Sequence, residues 1–356
     1  MKRFFFIWLL ALAAVACEIP FDLDQDAPAQ LYAQCIVDQG VVSVTPHYAT
    51  PVNADLKTAG QLSHLRVQVS ANGTPLEMQA TEDGRYVSTG EALKAGDVVE
   101  LSLDEDRLAP VSGTTQVPMA PHIVDWTAQS VQVDTIQATE IRLVLDRAPE
   151  EGEFYGIRIN AATTITYLTG NKEEFDLPLT PGYILTAAES GRFNLEDFHQ
   201  VNYNGSVLGG PDYQPITLLT TKHFDGSVYR FYLDSYDSTM LDSIRNNMPD
   251  GNSGMAGGGI VSGEVGPGSG SGGQEIDPTK IPIAFRLVYT FTLSRLSPEF
   301  YYYAKALFQS NFDFLSNMGL TPANFTYSNL SGGLGVVGAL CSDTAGPLEI
   351  VKEIKK

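Results

Sequence analysis

Alternating apolar and polar residues between positions 29 and 120 predict a series of short β-strands. The clearest unit has two alternating runs on either side of Asn72 and Gly73, a pair that readily adopts the positive φ angles of a tight hairpin turn. Strands at this spacing, with no convincing helix between them, predict an immunoglobulin-like or fibronectin-like β-sandwich over residues 29–120. Because the Cys, Trp, Cys pattern of antibody domains is absent, this prediction depends on strand spacing alone.

The chain from residue 121 to 356 carries less regular strand patterns, rich in aromatic and β-branched residues. One segment has helical periodicity instead. Ser297 and Pro298 form a helix-start pattern, and the apolar and aromatic positions that follow predict one long helix near residues 297–317. We therefore expect a mainly β protein in which the sandwich is followed by a larger β-rich domain, with the boundary at residues 118–121.

A stretch made largely of glycine and serine interrupts this second region at residues 250–274. It has too few bulky side chains to bury apolar surface, so we predict a disordered loop. A glycine-rich phosphate loop would need a strand before it, a helix after it and usually a lysine, and that arrangement is absent.

The first residues of the chain have the layout of a secretory signal. Lys2 and Arg3 precede an apolar run, and Ala16 and Cys17 follow that run. We predict a signal peptide over residues 1–16 and lipidation of Cys17, whose thiol would accept the diacylglyceryl group. The alternative is a plain secreted protein with an incidental cysteine at that place. The apolar run is shorter than the roughly 20 residues that cross a bilayer as a helix.

The chain is acidic, with 42 Asp and Glu against 22 Lys and Arg and a formal net charge of −20. Such a surface repels phosphate backbones, so nucleic acid is not an expected partner. Residues 17–28 are also rich in acidic side chains, and we interpret them as a lipidated acidic tether that attaches the protein to the membrane. The tether is either a solvated spacer or part of a signal for export to the cell surface.

Two further cysteines, Cys35 and Cys341, lie near opposite ends of the sequence. In an oxidising compartment they could form a disulfide that joins the two ends. The alternative is a pair of buried free thiols, and the sequence leaves both open.

Local motifs of catalysis are absent from the sequence. The nucleophile elbow of hydrolases, the Walker A loop, the HExxH zinc motif and the C-x-x-C redox motif do not occur, and neither does a D-x-D-x-D-G calcium loop. The five histidines are scattered along the chain, and the many carboxylates single out no acid–base pair. We therefore predict no catalytic, cofactor-binding or metal-binding residue and expect that the protein is not an enzyme.

Three consecutive tyrosines, Tyr301, Tyr302 and Tyr303, lie on the predicted helix and cannot all face one core. One interpretation is a partly exposed helix surface. The other is an aromatic patch that contacts a glycan, a peptide or a partner protein, and on that interpretation Tyr301 and Tyr302 are the candidate contacts.

Several stretches occur in a characteristic order along the chain. In the first half they are the CEIPFDLD tether, the turn and strand pair between residues 84 and 103, and the VPMAP junction. In the second half they are IRLVLDRAPEEGEFYGIRI, HFDGSVYRFYL, LSPEFYYYAKALF and the glycine motif SNLSGGLGVVGA. In this order they resemble a family of outer-membrane lipoproteins from the Bacteroidota known as domain of unknown function 4249. The resemblance covers essentially the whole chain after the signal peptide. The sequence departs from it at residues 335–337 and in the long glycine loop.

The resemblance implies an outer-membrane lipoprotein, often encoded near TonB-dependent transporters, with no established activity and no catalytic residues. Our first hypothesis is a lipid-anchored, non-enzymatic binding or accessory subunit that works with a TonB-dependent receptor in nutrient or peptide capture. The alternative is a structural or adhesion lipoprotein of the cell envelope. An envelope hydrolase that uses carboxylates is a third, minority hypothesis. The sequence does not identify the ligand.

Overall fold

A computed structural model describes residues 30–49, 65–106, 108–133, 136–179, 199–201, 215–234, 282–311 and 327–353. The predicted signal peptide, the lipidation site Cys17, the tether 17–28 and the glycine loop 250–274 all lie outside the described residues.

The described residues form a mainly β protein, as the strand patterns predict. Its strands, in chain order, are β1 (Gln30–Asp38), β2 (Val41–Ala49), β3 (Arg66–Ala71), β4 (Thr74–Pro75), β5 (Met78–Ala80), β6 (Tyr86–Ser88), β7 (Val98–Asp104), β8 (Val111–Gln116), β9 (Ile123–Val133), β10 (Ile136–Leu145), β11 (Phe154–Tyr167), β12 (Lys172–Leu179), β13 (His199–Val201), β14 (Ile216–Thr220), β15 (Phe224–Asp225), β16 (Val228–Asp234), β17 (Pro282–Leu296) and β18 (Leu334–Glu353). The helix α1 (Pro298–Asn311) lies between β17 and β18, and a short 3-10 turn covers Thr221–His223.

The strands form three sheets. The central sheet has the order β13-β14-β11-β17-β18-β1-β2-β6-β5, with β12 paired to β11. A first covering sheet has the order β4-β3-β7-β8, and a second covering sheet has the order β15-β16-β10-β9. The two covering sheets pack on different halves of the central sheet, so that two sandwiches lie side by side. The first core lies beneath the first covering sheet and the second core beneath the second covering sheet.

The long strand β18 belongs to both sandwiches. Its first residues pair in parallel with β1, from Leu334 opposite Tyr32 onwards, and the rest of it pairs antiparallel with β17. Because side chains alternate along a strand, Val337 faces the first core and Ala345 faces the second core. Val336 faces the helix on the opposite side of the sheet. The core of the region 29–120 therefore includes side chains from the last strand. The predicted domain boundary at 118–121 and the immunoglobulin-like assignment stay predictions.

Two glycines let β18 lie close to its neighbours. Gly335 has a φ of +117°, and a Cβ there would overlap the carbonyl oxygen of Ala33 on β1. Gly338 lies beneath the helix, where a Cβ would come within 2.8 Å of the Cβ of Phe300. The parallel pairing and the docking of the helix thus both depend on missing side chains in the glycine motif.

The helix α1 begins at the residues that the sequence indicates. The Oγ of Ser297 accepts a hydrogen bond from the backbone N–H of Phe300 at 3.3 Å, which is the N-cap contact expected of serine. Phe300 and Ala304 face the central sheet and are fully buried. The helix is described as far as Asn311, so the predicted end at residue 317 lies outside the described residues. No helix in the described ranges combines the length and apolar character needed to cross a membrane.

The predicted hairpin is present, with one difference. Asn72 and Gly73 have φ angles of 51° and 77°, as a tight turn between β3 and β4 requires. The second strand leaves the first covering sheet after Pro75, and Met78–Ala80 pairs with β6 in the central sheet instead. The run that reads as one strand in the sequence therefore crosses between the two layers of the sandwich.

The disulfide considered for Cys35 and Cys341 does not form in this structure. Both are free, buried cysteines in the first core. The register places Cys35 opposite Val337, four residues before Cys341, a separation of about 13 Å along the strand. Cα atoms in a disulfide lie at most about 7 Å apart, so the two thiols cannot bond without breaking the sheet.

We expect Gly335→Ala to lower the free energy of unfolding by about 3 kcal/mol or more, because steric overlap adds to the strain of a positive φ. Gly84→Ala is the matched control, since Gly84 also has a positive φ of +81° but open space around it, and it should lose only about 1–2 kcal/mol. Urea denaturation of both variants measures the difference. If both variants lost the same free energy of unfolding, β18 and β1 would not be in close backbone contact at Gly335.

Candidate functional site

A concave surface of about 860 Å³, which we call the cradle, lies on the outward face of the first covering sheet. Its side chains come from alternate positions on three adjacent strands: Gln68 and Ser70 on β3, Glu100 and Ser102 on β7, and Ser112 and Thr114 on β8. The residues between them, such as Val69 and Leu101, point into the first core. The strands' alternation thus provides a polar face above an apolar one.

The register aligns these outward side chains in two rows across the sheet. In the first row Gln68 lies opposite Ser102, Ser102 opposite Ser112, and Ser112 opposite Ser331 beyond the edge of β8. In the second row Ser70 lies opposite Glu100 and Glu100 opposite Thr114. Ser70 donates a hydrogen bond to the Oε2 of Glu100 at 3.4 Å.

One wall of the cradle is the segment 329–331, and the side chain of Asn329 holds it in place. The Nδ2 of Asn329 donates to the carbonyl oxygens of Thr114 at 3.1 Å and Val337 at 2.9 Å. The Oδ1 of Asn329 accepts from the backbone N–H of Val337 at 2.9 Å. Backbone bonds between Ser331 and Ser112, at 2.7 and 3.0 Å, complete the attachment. This wall therefore connects β8 with β18.

Leu330 anchors the same wall in the first core. Its side chain is buried against Gly113, where a Cβ would come within 2.5 Å of the Cδ2 of Leu330. Gly113 thus provides the space that Leu330 fills. The opposite wall of the cradle is apolar and is formed by Pro75, Leu76 and Met78.

An aromatic cluster lies on the helix side of the central sheet, outside the cradle. Phe154 stacks on Tyr301 with ring centroids 4.1 Å apart, and Tyr302 contacts Phe154 edge-on at 5.3 Å. Tyr302 also lies 5.8 Å from Tyr327, which precedes Asn329 by two residues. Tyr302 is 46% exposed, so this cluster presents an aromatic ring to solvent.

The structure corrects one of the two candidate partner contacts. Tyr301 is only 5% exposed and packs among the buried residues between the helix and the central sheet, so it is not available to a partner. Tyr303 is buried as well, and its hydroxyl forms a hydrogen bond with that of Tyr32; burial, with the nearby Tyr32, raises the pKa of Tyr303. Tyr302 alone of the three tyrosines stays exposed.

Glu153 and Glu140 are carboxylates outside the cradle whose side chains are only 9% and 6% exposed, and each is paired with arginine. Glu153 pairs with Arg147 at 2.6 Å and with Arg295, and the hydroxyl of Tyr155 donates to it at 2.7 Å. Burial raises the pKa of Glu153, but these hydrogen bonds and the charge of Arg295 outweigh burial, so that the net pKa is lowered. A carboxylate held ionised in this way is suited to a structural ion pair rather than to proton transfer.

Glu140 has a similar environment in the second covering sheet. Its Oε1 accepts hydrogen bonds from the Nε of Arg142 at 2.6 Å and from Gln129 at 2.9 Å, and Arg230 lies 3.7 Å away from its Oε2. This arrangement balances the charge of a buried glutamate within the sheet.

The histidines do not converge within the part of the chain that the structure describes. His223 is buried, and its Nδ1 accepts from the backbone N–H of Thr220 at 3.0 Å. His47 stacks on Tyr32, and His122 lies 3.7 Å from a carboxylate oxygen of Asp343. His64 lies outside the described residues. The described ranges contain no group of three or more His, Cys, Asp or Glu that could hold a metal ion.

Sequence reasoning did not single out the cradle residues. The available signal was the serine or threonine at several outward positions of β3, β7 and β8, namely Ser70, Ser102, Ser112 and Thr114. Their meaning depends on the register between strands and on the wall at 329–331, and neither can be read from one segment.

We expect Asn329→Ala to lower the free energy of unfolding by about 2–3 kcal/mol, because it leaves two carbonyl groups and one N–H without their partner. Ser331→Ala is the control in the same wall; Ser331 is exposed, so its loss should change stability by less than about 0.5 kcal/mol. Thermal unfolding followed by circular dichroism tests both. An Asn329→Ala variant as stable as Ser331→Ala would contradict the role of the amide.

We expect Glu153→Gln to lower the free energy of unfolding by about 2 kcal/mol at pH 7, because it removes a charged hydrogen-bond acceptor. Since the folded-state pKa of Glu153 is lowered, its stabilisation is present above the unfolded-state pKa of about 4.3 and is lost as the pH falls through the folded-state value. Denaturation of parent and variant at pH 7 and at acidic pH should therefore show a difference that shrinks with acid. Glu150→Gln, at a side chain that is 77% exposed, should show little difference at either pH.

Comparison with known proteins identifies the family. No curated protein matches the chain. Residues 17–345 match the family described as Domain of unknown function (DUF4249). The match extends from the start of the predicted tether into β18 and covers most of the 356 residues. The resemblance to this family that the sequence motifs indicate is thereby confirmed, and the chain belongs to the DUF4249 family.

Proposed function

We propose that the protein is a lipid-anchored, non-enzymatic binding or accessory protein of the outer membrane that works with a TonB-dependent transporter in nutrient or peptide capture. The observation that carries this proposal is the cradle, and the exposed ring of Tyr302 provides a separate aromatic contact for the receptor. The cradle's volume of about 860 Å³ is within the range of about 300–1,000 Å³ that ligand sites occupy.

The walls of the cradle support a binding role because they are held before any ligand arrives. Asn329 and Leu330 attach one wall to β8 and β18, and Leu76 of the other wall donates a backbone hydrogen bond to Val69 at 2.8 Å. A preformed surface loses little conformational freedom on binding and therefore binds more tightly for the same contacts.

The electrostatics of Glu153 and Glu140 support the non-enzymatic part of the proposal. A general acid or base works best with a pKa near the working pH, whereas the pKa of Glu153 is lowered away from that range. Glu140 is likewise paired with arginine.

The predicted anchor supports a place beside a membrane transporter. Residues 17–30 can span at most about 45 Å when fully extended. The folded part of the chain would therefore remain within reach of an integral protein in the same membrane, while the lipid on Cys17 prevents its diffusion away.

The first test is a pull-down of the tagged full chain from native membranes in mild detergent, analysed by mass spectrometry. We expect a TonB-dependent receptor to be recovered in proportion to the bait. Cys17→Ala should move the protein out of the membrane fraction. Tyr302→Ala should lower receptor recovery about tenfold, as expected for the loss of an exposed aromatic contact.

Val351→Ala is the control for Tyr302→Ala, because Val351 is an exposed apolar residue, 57% accessible, near the C-terminal end of β18. It should leave receptor recovery unchanged. Recovery of envelope or matrix proteins without a receptor would contradict the proposal and favour a structural or adhesion lipoprotein.

A further inference from the structure

We propose that the ligand of the cradle is an uncharged, hydroxyl-rich molecule, namely a neutral oligosaccharide. This inference rests on the proposed binding function and assigns a chemical class to its ligand.

Charge and hydrogen bonding disfavour two other classes of small ligand, the anionic and the apolar. Among the described residues that line the cradle, Glu100 is the one ionisable side chain, and no Lys, Arg or His is present. An anionic ligand would meet that carboxylate without a compensating cation, on a chain with a net charge of −20. A purely apolar ligand would cover the hydroxyl and amide groups without hydrogen bonding to them, which is unfavourable.

The side chains of the cradle match the hydrogen bonding of sugar hydroxyls. Each serine or threonine hydroxyl both donates and accepts, as a sugar hydroxyl does. Within the described part of the chain, no hydrogen bond engages the hydroxyls of Ser102, Ser112, Thr114 or Ser331. Neighbours within a row lie about 4.8 Å apart, and the two rows about 6.6 Å apart. This grid can contact several hydroxyl groups of one extended ligand.

A peptide is a poorer fit to the cradle. Extended peptides are commonly bound by addition to a free strand edge, through backbone hydrogen bonds. At the β8 edge, the backbone of Ser112 is already bonded to Ser331, and at the β3 edge the carbonyl of Val69 is already bonded to Leu76. The cradle therefore offers a sheet face with side-chain hydroxyls, which suits a ligand recognised through its own hydroxyl groups.

The test is calorimetric titration of the full chain, purified in detergent, with neutral hexasaccharides of glucose, mannose and xylose. An oligogalacturonate of equal length and a hexapeptide of alanine and serine are titrated alongside. We expect at least one neutral hexasaccharide to bind. The double variant Ser102→Ala/Ser112→Ala should weaken that binding about tenfold, since two hydrogen bonds to neutral groups are lost.

The matched control is Thr89→Ala/Thr127→Ala, which removes two exposed hydroxyls outside the cradle and should leave the affinity unchanged. Both double variants should unfold at the same denaturant concentration as the parent. The inference is overturned if no neutral hexasaccharide binds, if only the peptide or the oligogalacturonate binds, or if both double variants bind equally well. Receptor recovery with the parent chain separates the two proposals. If the parent chain recovers a receptor but binds no sugar, the proposed ligand class is refuted. If it neither recovers a receptor nor binds a sugar, the proposed binding function is refuted.

Discussion

The close backbone contact between β18 and β1 is the constraint on which the other parts of the structure depend. Gly335 makes it physically feasible, because any side chain at that position would overlap the carbonyl oxygen of Ala33. Once the strands are paired, alternation along β18 sends Val337 into the first core and Val336 towards the helix. Three residues further along, Gly338 leaves room for Phe300, so the helix packs directly on the joint between the strands. One short glycine motif thus determines how a sheet, a core and a helix pack together.

The cradle depends on the same motif at its other end. The residues just before β18 form the wall at 329–331, and Asn329 is bonded to both Thr114 and Val337. The position of this wall is therefore determined by where β18 lies, and β18 is positioned by β1. A ligand in the cradle would contact strands from the first third of the sequence and a wall from its last part. Binding there would stabilise the junction between these two parts of the chain, because ligands stabilise the contacts that they require.

The strands were the most predictable part of the fold, since alternation and turn residues are local signals. The turn at Asn72 and Gly73 and the cap at Ser297 are both present because a few adjacent residues determine them. The crossing of the chain between sheets after Pro75, and the parallel pairing of β18 with β1, depend on distant partners and could not be derived from one segment. The same reason separates the predictable exposure of Tyr302 from the unexpected burial of Tyr301, which depends on residues from remote strands, Phe154 among them. The glycine motif was visible in the sequence, but its role required the backbone that it touches.

The place of β18 in the first core has a consequence for the order in which the chain can fold during synthesis. The N-terminal strands emerge from the ribosome long before Leu330, Val337 and Ala339, yet these late residues fill the same core as Leu31 and Val99. Until they arrive, the first sandwich has an open side and cannot be completed. Contacts between such distant parts of a sequence form slowly, because a long loop must close before any of them is made. The first sandwich would therefore be completed only once the last strand, β18, is available.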